Sequence, residues 1–286
     1  MFHKDLLWRI VRRPTRFIMA RSGIYFSLRI AQKKLEFLES TLLLENQSKD
    51  FLKFIGYLKG VGGSDYNFSR VGSKNDGGYL LLDSFSNIGL CISLGIGENL
   101  DFEQQLLKKG IPVLAVDGTI STLPTDIKPD LKWIKKNVGA ADSDTQISIN
   151  TLFALSEEFF SWSGDCLLKI DIEGHEYSAI KALGIENQKL ASQIVIELHD
   201  VIPMLYHSPS EINGVIEKLL ETHVLVHLHG NNYDFSITFE NFTLPNVLEL
   251  SFARRDFVNA QITSAKFPRD LDAPNNQFMP EIIINL

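Results

Sequence analysis

The sequence predicts an α/β protein built on a doubly wound, mostly parallel sheet, with a helical arm in front of it. Three observations support this prediction. Short apolar runs alternate with helical stretches after residue 64, a glycine-rich turn follows the first clear run, and acidic residues follow several of the others. Strands and helices that alternate through short connections favour right-handed crossovers and parallel strands.

The first 60 residues are predicted to be helical, because apolar residues repeat there at helical spacing. Glycines at 60–63 end this helix and mark a linker. We therefore divide the chain into a basic amphipathic arm, 1–60, and an α/β domain, 64–286. The expected strands of the domain are 90–94, 113–116, 131–134, 166–170, 193–198, 224–228 and 247–252, and its expected helices are 101–109, 151–160, 176–183 and 211–221.

Charge is distributed unevenly along the chain. The net charge is −7, yet residues 1–36 hold nine Lys or Arg against two acidic residues, which leaves the remainder strongly acidic. An acidic domain is a poor partner for nucleic acid, because affinity for phosphate backbones comes largely from Lys and Arg. The two cysteines, Cys91 and Cys166, lie in apolar runs, so we expect buried thiols, no disulfide and a cytoplasmic location.

The arm interleaves aromatic and aliphatic residues with arginine, a pattern typical of helices that lie on anionic membranes. Its apolar stretches are too short to span a bilayer, and no cleavable signal peptide is expected. The arm is therefore predicted to make peripheral contact with the inner face of a membrane. The alternative is a helix used for domain packing or for homo-oligomer formation through residues 1–60.

The residues after the first two strands predict a ligand of the adenosine type. The first strand runs into Gly95 and Gly97, which let the backbone turn sharply and approach a ligand. Asp117 ends the second strand, 20 residues after Gly97, where an acid can accept hydrogen bonds from two ribose hydroxyls. Leu100 occupies the place of the third glycine of the dinucleotide fingerprint, which argues against NAD.

The fourth strand ends in Asp171 and Glu173, followed by Gly174, at the edge that faces the ligand cleft. The run 167–176, LLKIDIEGHE, closely resembles the "LKIDVEGxE" signature of FkbM-type methyltransferases. These are class I enzymes that use S-adenosylmethionine, mostly to methylate hydroxyls of sugars or natural products. The resemblance extends from about residue 68 to the C-terminus, and it does not cover residues 1–60.

The resemblance implies further site residues and a more specific fold. Asp76, Gly77, Gly78 and Tyr79 are similar to a "DGGY" element of a related branch, and would belong to the cofactor site with Gly95, Gly97, Asp117, Asp171 and Glu173. The tail 267–276 is similar to a closing segment found there. The fold implied is a Rossmann-like, seven-stranded sheet whose last strand is antiparallel. Ser93 departs from the pattern, since many class I enzymes carry an acid at this position.

Polar residues at the ends of the fifth and sixth strands suggest the chemistry. Glu197 and His199 alternate onto one face of their strand, as do His227 and His229. Three interpretations remain open. His199 or His229, with Glu197, could act as a general base; Asp171, Glu197 and His199 could bind a divalent metal; or the polar groups could simply bond to one another.

The predicted function is therefore O-methylation by S-adenosylmethionine of a small-molecule or glycan acceptor, such as a sugar, a glycolipid or a natural product. Two other classes of protein remain as alternatives. One is an NAD(P)-dependent oxidoreductase, against which Leu100 argues. The other is a non-catalytic adenosine-binding scaffold, against which the density of polar groups at the strand ends argues.

Overall fold

The computed structural model describes residues 48–59, 61, 66–123, 129–239, 242–258 and 267–284. Most of the predicted arm, including all of its basic stretch 1–36, lies outside these described residues. Within the part of the chain that is described, no helix is long and apolar enough to cross a membrane.

The described residues form seven helices and thirteen strands. The helices are α1 (Ser48–Lys59), α2 (Asp101–Lys108), α3 (Ile149–Phe159), α4 (Glu176–Ala182), α5 (Ile185–Leu190), α6 (Val201–His207) and α7 (Pro209–Leu220). The strands are β1 (Phe68–Gly72), β2 (Gly78–Leu82), β3 (Ile88–Leu94), β4 (Val113–Val116), β5 (Leu131–Ile134), β6 (Asn137–Gly139), β7 (Gln146–Ser148), β8 (Asp165–Ile170), β9 (Ala191–Leu198), β10 (His223–Gly230), β11 (Ser236–Phe239), β12 (Phe242–Pro245) and β13 (Leu248–Arg254).

Seven of the strands form one mixed sheet in the order β10-β13-β9-β8-β3-β4-β5. Strands β9, β8, β3, β4 and β5 are parallel, whereas β13 runs antiparallel to both of its neighbours, β9 and β10. The predicted α/β class, the seven strands of the sheet and its antiparallel last strand are thus confirmed. These seven strands coincide with the predicted ones to within a few residues.

The central strands are apolar along most of their length because both faces of the sheet are covered. Every residue of β4, β8 and β9 is buried, as is usual for parallel strands packed on both sides. Each fully buried Leu, Ile or Val contributes about 1.5–3 kcal/mol relative to exposure. Cys91 and Cys166 are buried free thiols within this core, as predicted.

The hairpin β1–β2 covers one face of the sheet through polar contacts as well as apolar ones. The Gln193 side chain accepts a hydrogen bond from the Leu82 amide at 2.9 Å and donates to the Leu82 carbonyl at 3.2 Å. The Ser251 hydroxyl donates to the Leu80 carbonyl at 2.6 Å. These bonds fix β2 across β9 and β13 and bring Tyr79, also on β2, over the ends of the strands.

Helix α7 packs against α1, α4, α6 and β10. The side chain of Asn213, on α7, donates to the Asp50 carbonyl of α1 at 3.2 Å, and Phe54 and Leu58 of α1 are fully buried. The compact unit accordingly begins at Ser48. Residues 48–59, which the sequence analysis assigned to the arm, therefore pack with the α/β domain, because their apolar stripe is complementary to α7.

Candidate functional site

The order of strands in the main sheet reverses between β3 and β8. From β3 the chain adds β4 and β5 on one side, and from β8 it adds β9, β10 and β13 on the other. Ligands of open α/β sheets bind outside the carboxyl ends of the strands at such a reversal. The glycine loop follows β3 and Asp171 follows β8, so both predicted elements lie at this point.

The glycine loop needs its two glycines for different reasons. Gly95 and Gly97 have φ angles of +75° and +53°, which other residues rarely adopt. A Cβ at Gly95 would overlap the main-chain oxygen of Asp171, so this glycine lets the loop approach β8. A Cβ at Gly97 would meet nothing within 4 Å, so this glycine borders open space that a ligand can occupy.

Asp117, directly after β4, is bonded to the glycine loop. Its Oδ2 accepts hydrogen bonds from the Ile96 and Gly97 amides at 3.1 and 2.9 Å. Its Oδ1 accepts from the amide and the hydroxyl of Thr119 at 2.7 and 2.6 Å. Burial alone would raise the pKa of Asp117, but the hydrogen bonds from Thr119 and the two loop amides outweigh burial and lower it. An ionised acceptor is thus fixed beside the loop.

A second cluster lies at the ends of β8 and β9. The Tyr79 hydroxyl lies 2.9 Å from Asp171 Oδ2 and 3.0 Å from Glu197 Oε2. Asn231 directly follows β10, and its side-chain amide donates to Glu197 Oε1 at 2.8 Å. One ligand atom each from Asp171, Glu197 and His199 lies within 4.8 Å of the others. The structure thus brings together the three residues predicted as metal ligands.

The Tyr79 hydroxyl carries one proton but contacts two carboxylates. It can donate to only one of them, so the other contact needs a proton on the carboxylate. Burial raises the pKa of Glu197 well above its usual value, and the charge of Asp171 raises it further. A proton held by Glu197 therefore satisfies the second contact of the Tyr79 hydroxyl.

His199 is held between carboxylates of two elements. Its Nδ1 lies 3.0 Å from Glu176 Oε1, and its Nε2 lies 3.6 Å from Glu197 Oε1 and 3.9 Å from Glu173 Oε2. Burial alone would lower the pKa of His199, but the Glu176 hydrogen bond and the neighbouring carboxylates raise it to about 10. Glu176 begins α4 and also accepts from the amides of Ile172 and Gly174. It therefore connects His199 to the turn after β8.

The backbone is strained on both sides of this cluster. Glu173 and Asp200 are the two non-glycine residues of the described chain with φ in the left-handed region, at 55° and 54°. Such conformations cost about 1–3 kcal/mol and concentrate at functional sites. The side chain of Glu173 is largely exposed. Glu173 thus borders the cluster from the solvent side.

His229 has a different environment from His199. Its Nδ1 lies 2.9 Å from Glu249 and its Nε2 lies 2.8 Å from Glu281, and the residue is 1% exposed. Burial alone would lower the pKa of His229, but the two carboxylates raise it to about 10. Both ring nitrogens are in use, so His229 connects the C-terminal segment to β10. The geometry favours His199 over His229 for chemistry.

The predicted DGGY element forms the turn of the β1–β2 hairpin. A Cβ at Gly77 would lie 3.4 Å from the Asn99 side chain, so the turn reaches the glycine loop. A Cβ at Gly78 would overlap the Ser73 carbonyl, so this glycine is required by the hairpin itself. Asp76 accepts from the Asn275 side chain at 3.1 Å. Only Tyr79 of the four contacts the Asp171–Glu197 cluster directly.

Sequence reasoning missed four residues of the site: Lys169, Glu103, Asn231 and Asn275. Lys169 stands inside the fourth-strand signature, and Asn231 follows a strand end, so both had a positional signal. Glu103 lies in α2 and reaches the Ser93 hydroxyl at 2.5 Å. It thus places a buried carboxylate beside Ser93 on β3.

No protein-family model matches any part of the chain, and no curated protein is significantly similar to it. The features from which a function can be inferred are therefore the sheet, the geometry at its carboxyl edge and the motifs found there.

Proposed function

We propose that this protein is a methyltransferase that uses S-adenosylmethionine. The observation that carries the proposal is the joining of Asp117 to the amides of Ile96 and Gly97 at the strand-order reversal, beside the open space at Gly97. This arrangement supplies a fixed carboxylate for a ribose and a glycine surface for the atoms next to it. The LLKIDIEGHE run and the antiparallel last strand agree with the same family resemblance.

Asp117 fits a ribose only if one present contact is exchanged. Its two oxygens already accept four hydrogen bonds, which is about the number of lone-pair sites a carboxylate offers. The Thr119 hydroxyl is the contact most easily replaced, because a side-chain rotation releases it whereas the three backbone amides are fixed. A ribose hydroxyl would take its place at Oδ1.

Charge distinguishes this ligand from a dinucleotide. A pyrophosphate would lie at the start of α2, where Glu98 and Asp101 are both exposed. The Asp101 amide is occupied by Asn99 Oδ1 at 2.9 Å, and Leu100 is buried in the core. Helix N-termini bind phosphate through free amides and a favourable potential, and both are reduced here. A sulfonium ligand with an ammonium group is favoured by the same acids.

S-adenosylmethionine, when bound, supplies a methyl group activated on sulfur for in-line displacement. The protein then has to hold the acceptor close and aligned, and positioning can contribute most of the acceleration. A hydroxyl acceptor also has to lose a proton, which Glu197 or His199 can accept in its deprotonated form, and the raised pKa of both groups moves that form to higher pH. We propose a hydroxyl of a sugar, glycolipid or natural product, from the family resemblance. Methyl transfer confined to protein side chains or nucleic-acid bases would contradict this acceptor class.

We further propose that Asp171, Glu197 and His199 can hold a divalent cation. The donor set of two carboxylates and one imidazole suits several first-row metals. A cation bound there would replace the proton that Tyr79 and the two carboxylates share. Its chemistry would be to lower the pKa of a bound hydroxyl. The buried free thiols agree with a cytoplasmic location, which we also propose.

The test is calorimetric titration with S-adenosylhomocysteine, NAD and NADP in parallel. We expect micromolar-range binding of S-adenosylhomocysteine alone. Asp117→Ala should weaken it at least tenfold, since charge-assisted hydrogen bonds contribute roughly 1.5–3 kcal/mol. Thr119→Val is the matched control and should bind within about threefold of the parent, because the ribose replaces the lost hydroxyl.

Three other results of these measurements would contradict the proposed function. Parent-like affinity in a folded Asp117→Ala variant would overturn the cofactor assignment. Preferential binding of NAD or NADP would indicate an oxidoreductase instead. Binding of S-adenosylhomocysteine without methyl transfer to any hydroxyl acceptor in a broad panel would indicate a non-catalytic adenosine-binding scaffold.

A further inference from the structure

Lys169 is a buried cation that the proposed chemistry does not use. It lies on β8, two residues before Asp171, and is 4% exposed. Its ammonium donates to the Gly95 carbonyl at 2.5 Å and lies 3.5 Å from Asp171 Oδ2. Lysine is rarely buried to this extent unless its charge is paired. The groups that Lys169 contacts, the Gly95 carbonyl and Asp171, therefore indicate its role.

The charge of Lys169 also acts on a second carboxylate, that of Glu103. Ser93 is the register partner of Lys169, so their side chains lie on the same face of the sheet. Glu103 accepts from the Ser93 hydroxyl through Oε1, while its Oε2 is buried without a hydrogen-bond partner among the described residues. Burial raises the pKa of Glu103, and the charge of Lys169 opposes that effect. The ammonium thus forms its ion pair with Asp171, and its charge also acts on the buried carboxylate of Glu103.

The peptide between Gly95 and Ile96 is fixed at both of its ends. Lys169 binds its carbonyl oxygen, while Asp117 accepts from its amide and from the next amide, that of Gly97. Rotation of this peptide would break contacts on both sides at once. The orientation of the glycine loop therefore depends on Lys169 as well as on Asp117.

We propose that Lys169 is the positioning residue of the glycine loop: by holding the Gly95 carbonyl, it keeps the loop in the orientation that receives the ligand. The proposal extends the proposed function, because it assumes that this loop contacts the cofactor. Whether Lys169 keeps the glycine loop ordered can be tested without that assumption. Lys169 acts through Gly95 and takes no part in methyl transfer.

A purely structural role is the competing explanation, in which Lys169 only neutralises Glu103. The two explanations can be distinguished in a variant that has lost the charge of Glu103. Glu103→Gln keeps an acceptor for Ser93 and removes the buried negative charge. Lys169→Met in that background removes the ammonium without leaving Glu103 unpaired. Asp171 loses its 3.5 Å contact with the ammonium but keeps the Tyr79 hydroxyl at 2.9 Å, so stability should largely return while the Gly95 carbonyl stays unbound.

The experiment compares the parent, Glu103→Gln, Lys169→Met/Glu103→Gln and Lys169→Gln/Glu103→Gln. Melting temperature reports the fold, amide hydrogen exchange at Ile96 and Gly97 reports the loop, and calorimetry reports S-adenosylhomocysteine affinity. Glu103→Gln alone is the reference, and the effect of Lys169 is the difference between this variant and each double variant. Both double variants should remain folded, exchange these two amides at least tenfold faster, and bind at least tenfold more weakly.

Parent-like exchange at Ile96 and Gly97 in either folded double variant would overturn the proposal and leave the structural role. Faster exchange with unchanged affinity would overturn it too, because the loop would then not need Lys169 to receive the ligand. A parent that binds no S-adenosylhomocysteine would refute the proposed function, and the exchange measurement alone would then decide whether Lys169 orders the loop.

Discussion

His199 and His229 lie at the ends of β9 and β10, and their surroundings leave only one of them with a ring nitrogen that a ligand can reach. His229 uses both ring nitrogens on Glu249 and Glu281, so it has none left for a ligand. The Nδ1 of His199 is bonded to Glu176, while its Nε2 has only longer contacts, at 3.6 and 3.9 Å. The Nε2 atom is therefore the ring nitrogen that a ligand can reach, and because the pKa of His199 is raised to about 10, it must lose its proton before it can bind a cation.

This difference predicts the cation dependence. Protein treated with EDTA should bind Mn²⁺ in calorimetry, and His199→Ala should weaken that binding at least tenfold because one of three ligands is lost. His229→Gln is the control: it should bind Mn²⁺ as the parent does but melt at a lower temperature, since Glu249 and Glu281 lose their buried partner.

Three results would change this interpretation. Unchanged Mn²⁺ affinity in His199→Ala would remove the metal site. Turnover that resists chelator yet is lost in His199→Ala would make His199 a base. Full turnover in both His199→Ala and His229→Ala would leave only structural roles for the two histidines.

The sequence predicted Asp117, Asp171, Glu197 and His199 because each directly follows or ends a strand. Strand ends can be located from the apolar pattern, and the carboxyl ends of parallel strands meet at one edge. Their partners could not be located in this way. The Tyr79 hydroxyl reaches Glu197 across 118 positions of the chain, a contact set by how the hairpin lies on the sheet.

At the level of elements, β10 begins at a buried neutral histidine. His223 Nε2 donates to the Ala191 carbonyl at 2.8 Å and its Nδ1 lies 2.7 Å from the Thr222 hydroxyl, so β10 is bonded to the start of β9. Burial, more than any neighbouring charge, lowers the pKa of His223 to about 4. Among those charges, Arg254 lowers the pKa and Asp256 raises it, with smaller effects.

The lowered pKa of His223 predicts acid sensitivity. Below about pH 6.5 the unfolded chain takes up a proton that the folded chain refuses until about pH 4. The stabilisation is thus complete above pH 6.5 and is lost as pH falls towards 4, by roughly 3 kcal/mol. His223→Gln keeps a donor and an acceptor without titrating, so its unfolding free energy should fall less over this range. Parallel pH profiles of parent and variant in urea unfolding would contradict the prediction.

The hairpin β1–β2 is one of the elements that sequence reasoning did not identify; the others are α5, α6, β6, β7, β11 and β12. Its motif was found, but the pairing Phe68–Leu82 through Gly72–Gly78 was not expected as strands. The reason is physical: β2 is buried at all five positions, so it lacks the alternation that indicates a half-buried strand. Strands β4, β8 and β9 are buried throughout as well, but they were found because a predicted helix precedes each of them in the sequence.

At the level of the whole molecule, the chain combines a basic stretch, residues 1–36, with an acidic remainder. The sequence predicts that this stretch binds anionic membranes, at about 1 kcal/mol for each basic residue near the surface. Helix α1 belongs to a different part of the molecule, since it packs on α7. Two truncations therefore separate membrane binding from stability.

Deleting residues 1–36 should leave the melting temperature and the affinity for S-adenosylhomocysteine unchanged, and should abolish co-sedimentation with phosphatidylserine vesicles. Deleting residues 1–60 should also lower the melting temperature, because burial of Phe54, Ile55 and Leu58 contributes about 1.5–3 kcal/mol for each side chain.

Co-sedimentation of the intact chain should weaken with salt, since charge interactions are screened beyond about 10 Å at 0.1 M. An intact chain that stays in the supernatant at low salt would exclude the membrane role, and a mass change on truncation in light scattering would indicate oligomer formation instead. Equal stability of the two truncated forms would show that α1 contributes nothing to the fold.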